Sequence, residues 1–285
     1  MVIKKGTSLL LLWSLGLLVY AQPATEVYVM DLTLGPLISL GTPLNISQHA
    51  GYDNQPHFLA NGDLLYTSLH DDQTEVMKYN ISTGENKKIT DSAGGEYSPT
   101  PLSDGQHFST IILEKSGRQL LWKYRLDGSE PQVLVPDLKI GYHCWLNDQL
   151  IASFVLGDPP TLQLCYLQSG KNQVIASNIG RSLHKIPESE KLSFLDKSQE
   201  PWKIMSYHPQ TGAMEFLVLA LSGVEDLTWS PDGTLFMAQD SKLFSWRLGD
   251  KDWTQVADLA AHGIRNITRL AVDPHGSKLA LVAAE

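Results

Sequence analysis

Apolar runs recur along this chain, each following a short polar turn, at an almost constant interval. The turns are anchored at Gly62, Gly105, Asp148, Glu190, Gly233 and Gly276, with spacings of 43, 43, 42, 43 and 43 residues. A period in the forties marks a repeat architecture, in which no unit buries its apolar faces alone. The clearest unit is Trp229-Ser230-Pro231-Asp232-Gly233 followed by Thr234 to Ala238. Proline presets the backbone at the second position of a tight turn and Asp-Gly completes it, so the flanking apolar stretches predict two antiparallel strands. Lys242 to Leu248 then alternates apolar and polar residues as a third strand, and Thr254 to Leu259 supplies a fourth. Other repeats follow suit: the third strand runs from Leu120 to Leu126 before Asp127-Gly128, and from Glu75 to Ile81 before Thr83-Gly84. Each repeat therefore predicts a four-stranded antiparallel meander, and no stretch sustains helical periodicity.

Four strands in about 43 residues is the size of a β-propeller blade. The sixth repeat holds only two strands, near Ile267 to Val272 and Lys278 to Ala283, before the sequence reaches Glu285. Its missing strands lie at the other end. Thr25-Glu26-Val27 through Gly35 matches Thr74-Glu75-Val76 through Gly84 at a constant offset of 49, which is the third strand and its turn. An open solenoid shares the period but exposes sheet edges, whereas a blade shared between the two ends closes the array. The expectation is an all-β, six-bladed propeller whose ring is closed by N-terminal strands completing the C-terminal blade.

The turns resemble the Pro-Asp-Gly, WD40-like repeats of TolB-like propellers. The residues that carry the resemblance are Trp229 to Gly233, Val272-Asp273-Pro274-His275-Gly276, Leu102-Ser103-Asp104-Gly105, and Pro56 and Pro99, each six residues before its anchor glycine. It implies the propeller fold and a periplasmic setting. TolB itself carries an α/β domain ahead of its propeller, and here the first strand follows the leader closely, so membership of a translocation complex does not carry over.

Residues 1–21 read as a signal peptide: Lys4 and Lys5, an apolar stretch from Leu9 to Val19, and Val19-Tyr20-Ala21 as a cleavage signal. The apolar stretch falls short of the roughly 20 residues a span needs, although an uncleaved anchor is the competing reading. Cleavage would leave 22–285 as one propeller domain, exported to the periplasm or secreted, with no stable membrane span and a monomer expected. Loss of the two lysines would take the formal charge from -9 to -11. An acidic exterior without a basic cluster repels phosphate backbones and excludes nucleic acid as a partner. The two cysteines, Cys144 and Cys165, fall on the first and third strands of one repeat. Two strand spacings put them about 9.6 Å apart, beyond the roughly 4.4–6.8 Å a disulfide spans, so free thiols are expected.

In a propeller the first strand of each blade lines the central channel, and the residues just before it ring one mouth. These are Asp53, Asn54 and Gln55; Glu96, Tyr97 and Ser98; Tyr142 and His143; Arg181, Ser182 and His184; Glu225 and Asp226; Arg265, Asn266 and Arg269. Such a collar suits a small polar ligand or a peptide segment, while a merely wet channel lining would also be polar. The Tyr, His and Arg content favours a site, because these side chains dominate binding hot spots where Ser or Asn would satisfy a wet wall. His57, His143 and His184 near several carboxylates raise the question of a metal, but no pair has ligand spacing within one element, so hydrogen-bonding roles and no metal or cofactor are expected. No Gly-x-Ser-x-Gly elbow occurs. The leading function is a binding or scaffold module. The alternative is an extracytoplasmic lyase or hydrolase in which Tyr142, His143 or His184 moves a proton and Arg181 or Arg265 steadies an oxyanion. Trp122, Trp202, Trp246 and Trp253 fall on or beside outer strands and are assigned to packing between blades.

Overall fold

The computed structural model describes residues 22–285, so the leader and its cleavage site lie outside the described residues. The chain forms six antiparallel sheets arranged as blades. Their innermost strands are Asp53–Phe58, Gly95–Pro101, Ile140–Asn147, Ile179–Lys185, Leu227–Trp229 and Arg269–Val272, in blades 1 to 6. Blades 1 to 5 are simple four-stranded meanders. Among the described residues the only helical element is the single turn Ala260–His262.

Blade 6 joins both ends of the chain. Thr25–Thr33 pairs antiparallel with Lys278–Ala284, with Thr25 opposite Ala284, Val27 opposite Val282 and Asp31 opposite Lys278. The Lys278 ammonium also pairs with the Asp31 carboxylate. One feature differs from a regular blade: its outer strand is split into Ser39–Leu40 and Leu44–Asn45, both paired to Thr25–Thr33. Pro43 lies in the break, where a residue without an N–H cannot continue a ladder.

Alternation within the strands sends apolar side chains to both faces of every blade, so the core is divided into six clusters, one at each blade boundary. Phe236, Leu243, Leu279 and Leu281 join blades 5 and 6, and Val27, Val282, Leu64 and Tyr66 join blades 6 and 1. Leu65, Val76, Phe108 and Tyr124 follow between blades 1 and 2, with Trp122 packed against them. Trp202, Trp246 and Trp253 pack at the boundary of blades 4 and 5, as expected for inter-blade residues. Cys144 and Cys165 are free, on the first and third strands of blade 3.

The turn that sets the period is built as its sequence requires. Gly233 has φ 80°, a left-handed value that glycine adopts without strain. The Ser230 N–H donates to the Thr234 carbonyl at 2.8 Å, and the Asp232 carboxylate accepts from Ser230 Oγ and the Thr234 N–H. Blades 3 and 4 depart from this. Asn147 pairs directly with Leu150, leaving Asp148 and Gln149 as a two-residue turn in which neither has a positive φ, and in blade 4 the left-handed position is Glu188 rather than Glu190.

Candidate ligand site in the central channel

The six inner strands enclose a cavity of about 390 Å³ whose lining includes Gln55, His57, Ser98, Thr100, Tyr142, His143, Arg181, His184, Asp226, Thr228 and Arg269. Every blade contributes to it. At the collar end the polar groups form one connected chain. Arg181 Nη2 donates to Asp226 Oδ2 at 2.6 Å and its Nε reaches Oδ1 at 3.4 Å. Arg269 Nη1 lies 2.6 Å from the same Oδ2, while its Nη2 donates to the Tyr142 hydroxyl at 3.1 Å. Blades 3 and 6 face each other across the ring, so the Arg269–Tyr142 contact spans the channel. Tyr142 is held edge-on by Phe154, with ring centroids 5.8 Å apart. Burial works against the Arg181 charge, but Asp226 beside it outweighs burial and holds the guanidinium firmly protonated. Next to this chain Lys197 pairs with Glu225, whose other oxygen faces the Arg181 N–H at 3.5 Å.

Deeper in the channel sit His57, His143 and His184. Burial pulls their pKa values down to about 4, about 3 and about 4, so all three rings are neutral at neutral pH. His143 Nε2 contacts Ser109 Oγ at 2.7 Å, and the same hydroxyl accepts from Trp145 Nε1 at 2.8 Å. His184 Nε2 contacts Ser182 Oγ at 3.1 Å. Nδ1 of His57 and Nδ1 of His143 are buried without a protein partner. Among the described residues no three His, Cys, Asp or Glu side chains converge as a metal site.

No protein-family model and no curated protein sequence matches this chain. Solved structures match it closely in shape. A TolB candidate from Agrobacterium tumefaciens superposes with a TM-score of 0.72 at 12% identity, covering 93% of this chain and 99% of that one. This chain has a TolB-like propeller fold. A gluconolactonase from Xanthomonas campestris aligns at a TM-score of 0.61 and 12% identity over 94% of this chain and 99% of its own. An oligogalacturonate lyase from Vibrio parahaemolyticus gives 0.59 at 15% identity, over 85% and 80%. At these identities the likeness is one of fold, which hosts many chemistries.

Nine of the collar residues expected from the repeat line the cavity of this TolB-like propeller: Gln55, Ser98, Tyr142, His143, Arg181, Ser182, His184, Asp226 and Arg269. Tyr97 stands at the rim, its hydroxyl accepting from Gln22 Nε2 at 3.1 Å. Arg265 and Asn266 lie exposed in the loop before the last inner strand, where the Asn266 N–H meets Asp240 at 3.3 Å. Asn54 is buried against Thr25 and caps the Gln55 N–H.

Asp53 and Glu96 lie elsewhere. Both are fully buried at blade boundaries, Asp53 beside Ser68 and Glu96 beside Thr90 and Ser92. Burial, with the nearby charges of Glu26 and Glu75 adding to it, raises Asp53 to about 6 and Glu96 to about 7. The two seams are built alike: Ser47 Oγ bonds Glu26 and accepts the Val27 N–H, and 43 residues on Thr90 Oγ1 bonds Glu75 and accepts the Val76 N–H. The residues that reach the channel in their place are Gln55 and Ser98. Each has a positive φ, 57° and 54°, at a register shift in the inner strand. Gln55 Oε1 accepts from the Ser98 N–H at 2.7 Å and from Thr67 Oγ1, tying blade 1 to blade 2.

Proposed function

We propose that this protein is an exported binding module whose central channel takes up a small polar ligand or the end of a peptide. The observation that carries this reading is a cavity of about 390 Å³ whose wall joins two guanidinium groups, a phenol and three neutral imidazoles, drawn from four different blades. A cavity of this size falls within the roughly 300–1,000 Å³ range of ligand pockets. A wall needed only for wetting would carry small hydroxyls. Export rests on the N-terminal lysine-plus-apolar pattern and on the resemblance to periplasmic propellers. The mature unit is the single ring of residues 22–285, acting as a monomer without a metal or cofactor.

Thermal shift of the purified protein against a panel of neutral, cationic and anionic small solutes tests this, because a ligand stabilises the fold in proportion to its excess over Kd. Arg181→Ala and His143→Ala should melt near the wild-type temperature and lose the shift. If no solute separates wild type from these folded variants, the channel is structural lining.

A second reading, a lyase or hydrolase at the same wall, is favoured by one observation. His143 is neutral, lines the cavity and has its Nε2 against the Ser109 hydroxyl at 2.7 Å, an imidazole–hydroxyl pair of the kind that moves protons. Turnover of any panel solute that binds, lost in His143→Ala while binding persists, would select it. Binding without turnover selects the module.

A further inference from the structure

The balance of charge on the channel wall narrows the ligand class, an assignment that rests on the ligand-binding reading of the cavity. Arg181 and Arg269 share one carboxylate, Asp226. Lys197 is matched by Glu225. Of the other charged residues lining the cavity, Lys185 lies 3.8 Å from Glu190, and Asp273 is taken up by the backbone N–H groups of His275, Ser277 and Lys278. The three imidazoles add no charge. At the collar end one guanidinium charge is therefore in excess of the carboxylate it faces, while Asp273 keeps its charge beyond the other end of the strand that carries Arg269, in a chain whose formal net charge is -9. A positive wall inside an acidic protein is where a small anion gains most relative to the surrounding surface.

We propose that the cavity selects a small hydroxylated carboxylate, its carboxylate seated on Arg181 and Arg269 beside the Tyr142 hydroxyl and its hydroxyl groups against His57, His143 and His184. The planar fork of a guanidinium matches both oxygens of a carboxylate, and such charge-assisted bonds are about twice as strong as neutral ones. A neutral imidazole offers one donor and one acceptor, the complement of an alcohol. A neutral guest would leave the surplus charge unmatched, and a cationic guest would add to it.

Three acyclic polyols of one carbon skeleton isolate the charge: D-gluconate, D-glucitol and D-glucamine, titrated calorimetrically into the whole purified protein. Gluconate should bind and raise the melting temperature, with glucitol weaker by about tenfold or more and glucamine weaker still. Arg181→Gln and Arg269→Gln should each reduce gluconate affinity by about tenfold while leaving glucitol unchanged, and Arg269→Lys, which keeps the charge, should recover part of the loss. Should either glutamine variant fail to fold, the lysine variant and the wild-type preference among the three polyols still decide. Equal binding of gluconate and glucitol, or a preference for glucamine, overturns the carboxylate assignment and leaves the polar-ligand reading standing. So does failure of all three polyols when another panel solute binds. Failure of every solute overturns both.

Discussion

Two groups of buried polar side chains sit close together on the inner strands and are treated in opposite ways. On the channel wall, Arg181, Asp226, Arg269 and Tyr142 bond to one another across an open cavity, and the imidazoles there are stripped of charge by burial. At the seams flanking blade 1, Asp53 and Glu96 are shut between strands away from the cavity, and burial outweighs their neighbouring hydroxyls and holds on to their protons. The wall is polar where a guest could complete it; the seams are polar where nothing can enter. Burial by itself therefore does not mark a functional group in this fold. What marks it is burial beside space.

Packing gives the largest expected contrast. Leu65 is fully buried in the cluster between blades 1 and 2, and Leu65→Ala should cost about 2–5 kcal/mol, read as an earlier midpoint in urea. Tyr142→Phe on the wall removes one hydrogen bond and should cost only about 1 kcal/mol. Equal losses at the two positions would mean that the wall supports the ring as much as the seams do.

The pH response sharpens the comparison. Asp53 and Glu96 hold their protons more tightly folded than unfolded, so the stability they contribute is present below about pH 4 and is lost as pH rises through about 6 and about 7. Asp53→Asn with Glu96→Gln should leave stability near pH 4 unchanged and raise it at pH 8, by about 1.4 kcal/mol for each unit of displaced pKa. The wall histidines act in the other direction. Held neutral, they contribute stability that is present above their unfolded value near 6.5 and is lost as pH falls toward about 3 to 4. His143→Gln should make the acid limb shallower by one proton in urea titrations run at several pH values. Unchanged slopes in both variants would remove the electrostatic distinction between wall and seam.

Much of the architecture was legible in the sequence. A constant period set the blade count, and the offset match of Thr25 with Thr74 identified the shared blade, because register and period are properties of the pattern rather than of single residues. The collar was legible where inner strands are regular and failed where they are not. Gln55 and Ser98, both in the expected collar, adopt left-handed backbone inside a strand, and neither residue type announces it, so of each expected triplet these two face the channel while Asp53 and Glu96 turn into the seams. Arg265 and Asn266 fall outside the cavity because the last inner strand begins only at Arg269. The Arg269–Tyr142 contact crosses the ring, and no one-dimensional spacing reports a distance between opposite blades. Gly anchors were readable because φ demands them, while the tighter hairpin at Asp148 shows that the period survives a change of turn chemistry.

The pairing of Thr25–Thr33 with Lys278–Ala284 has a consequence for how the molecule comes into being. A chain made from its N-terminus presents the first of these strands long before the second exists. During that interval Thr25–Thr33 has its outer neighbours, Ser39–Leu40 and Leu44–Asn45, but its inner edge is open. An open edge is adhesive toward other chains, and long-range strand pairing is slow to form. The vulnerable stage for this protein is thus its last step of assembly, when five blades stand and the sixth awaits its closing strands.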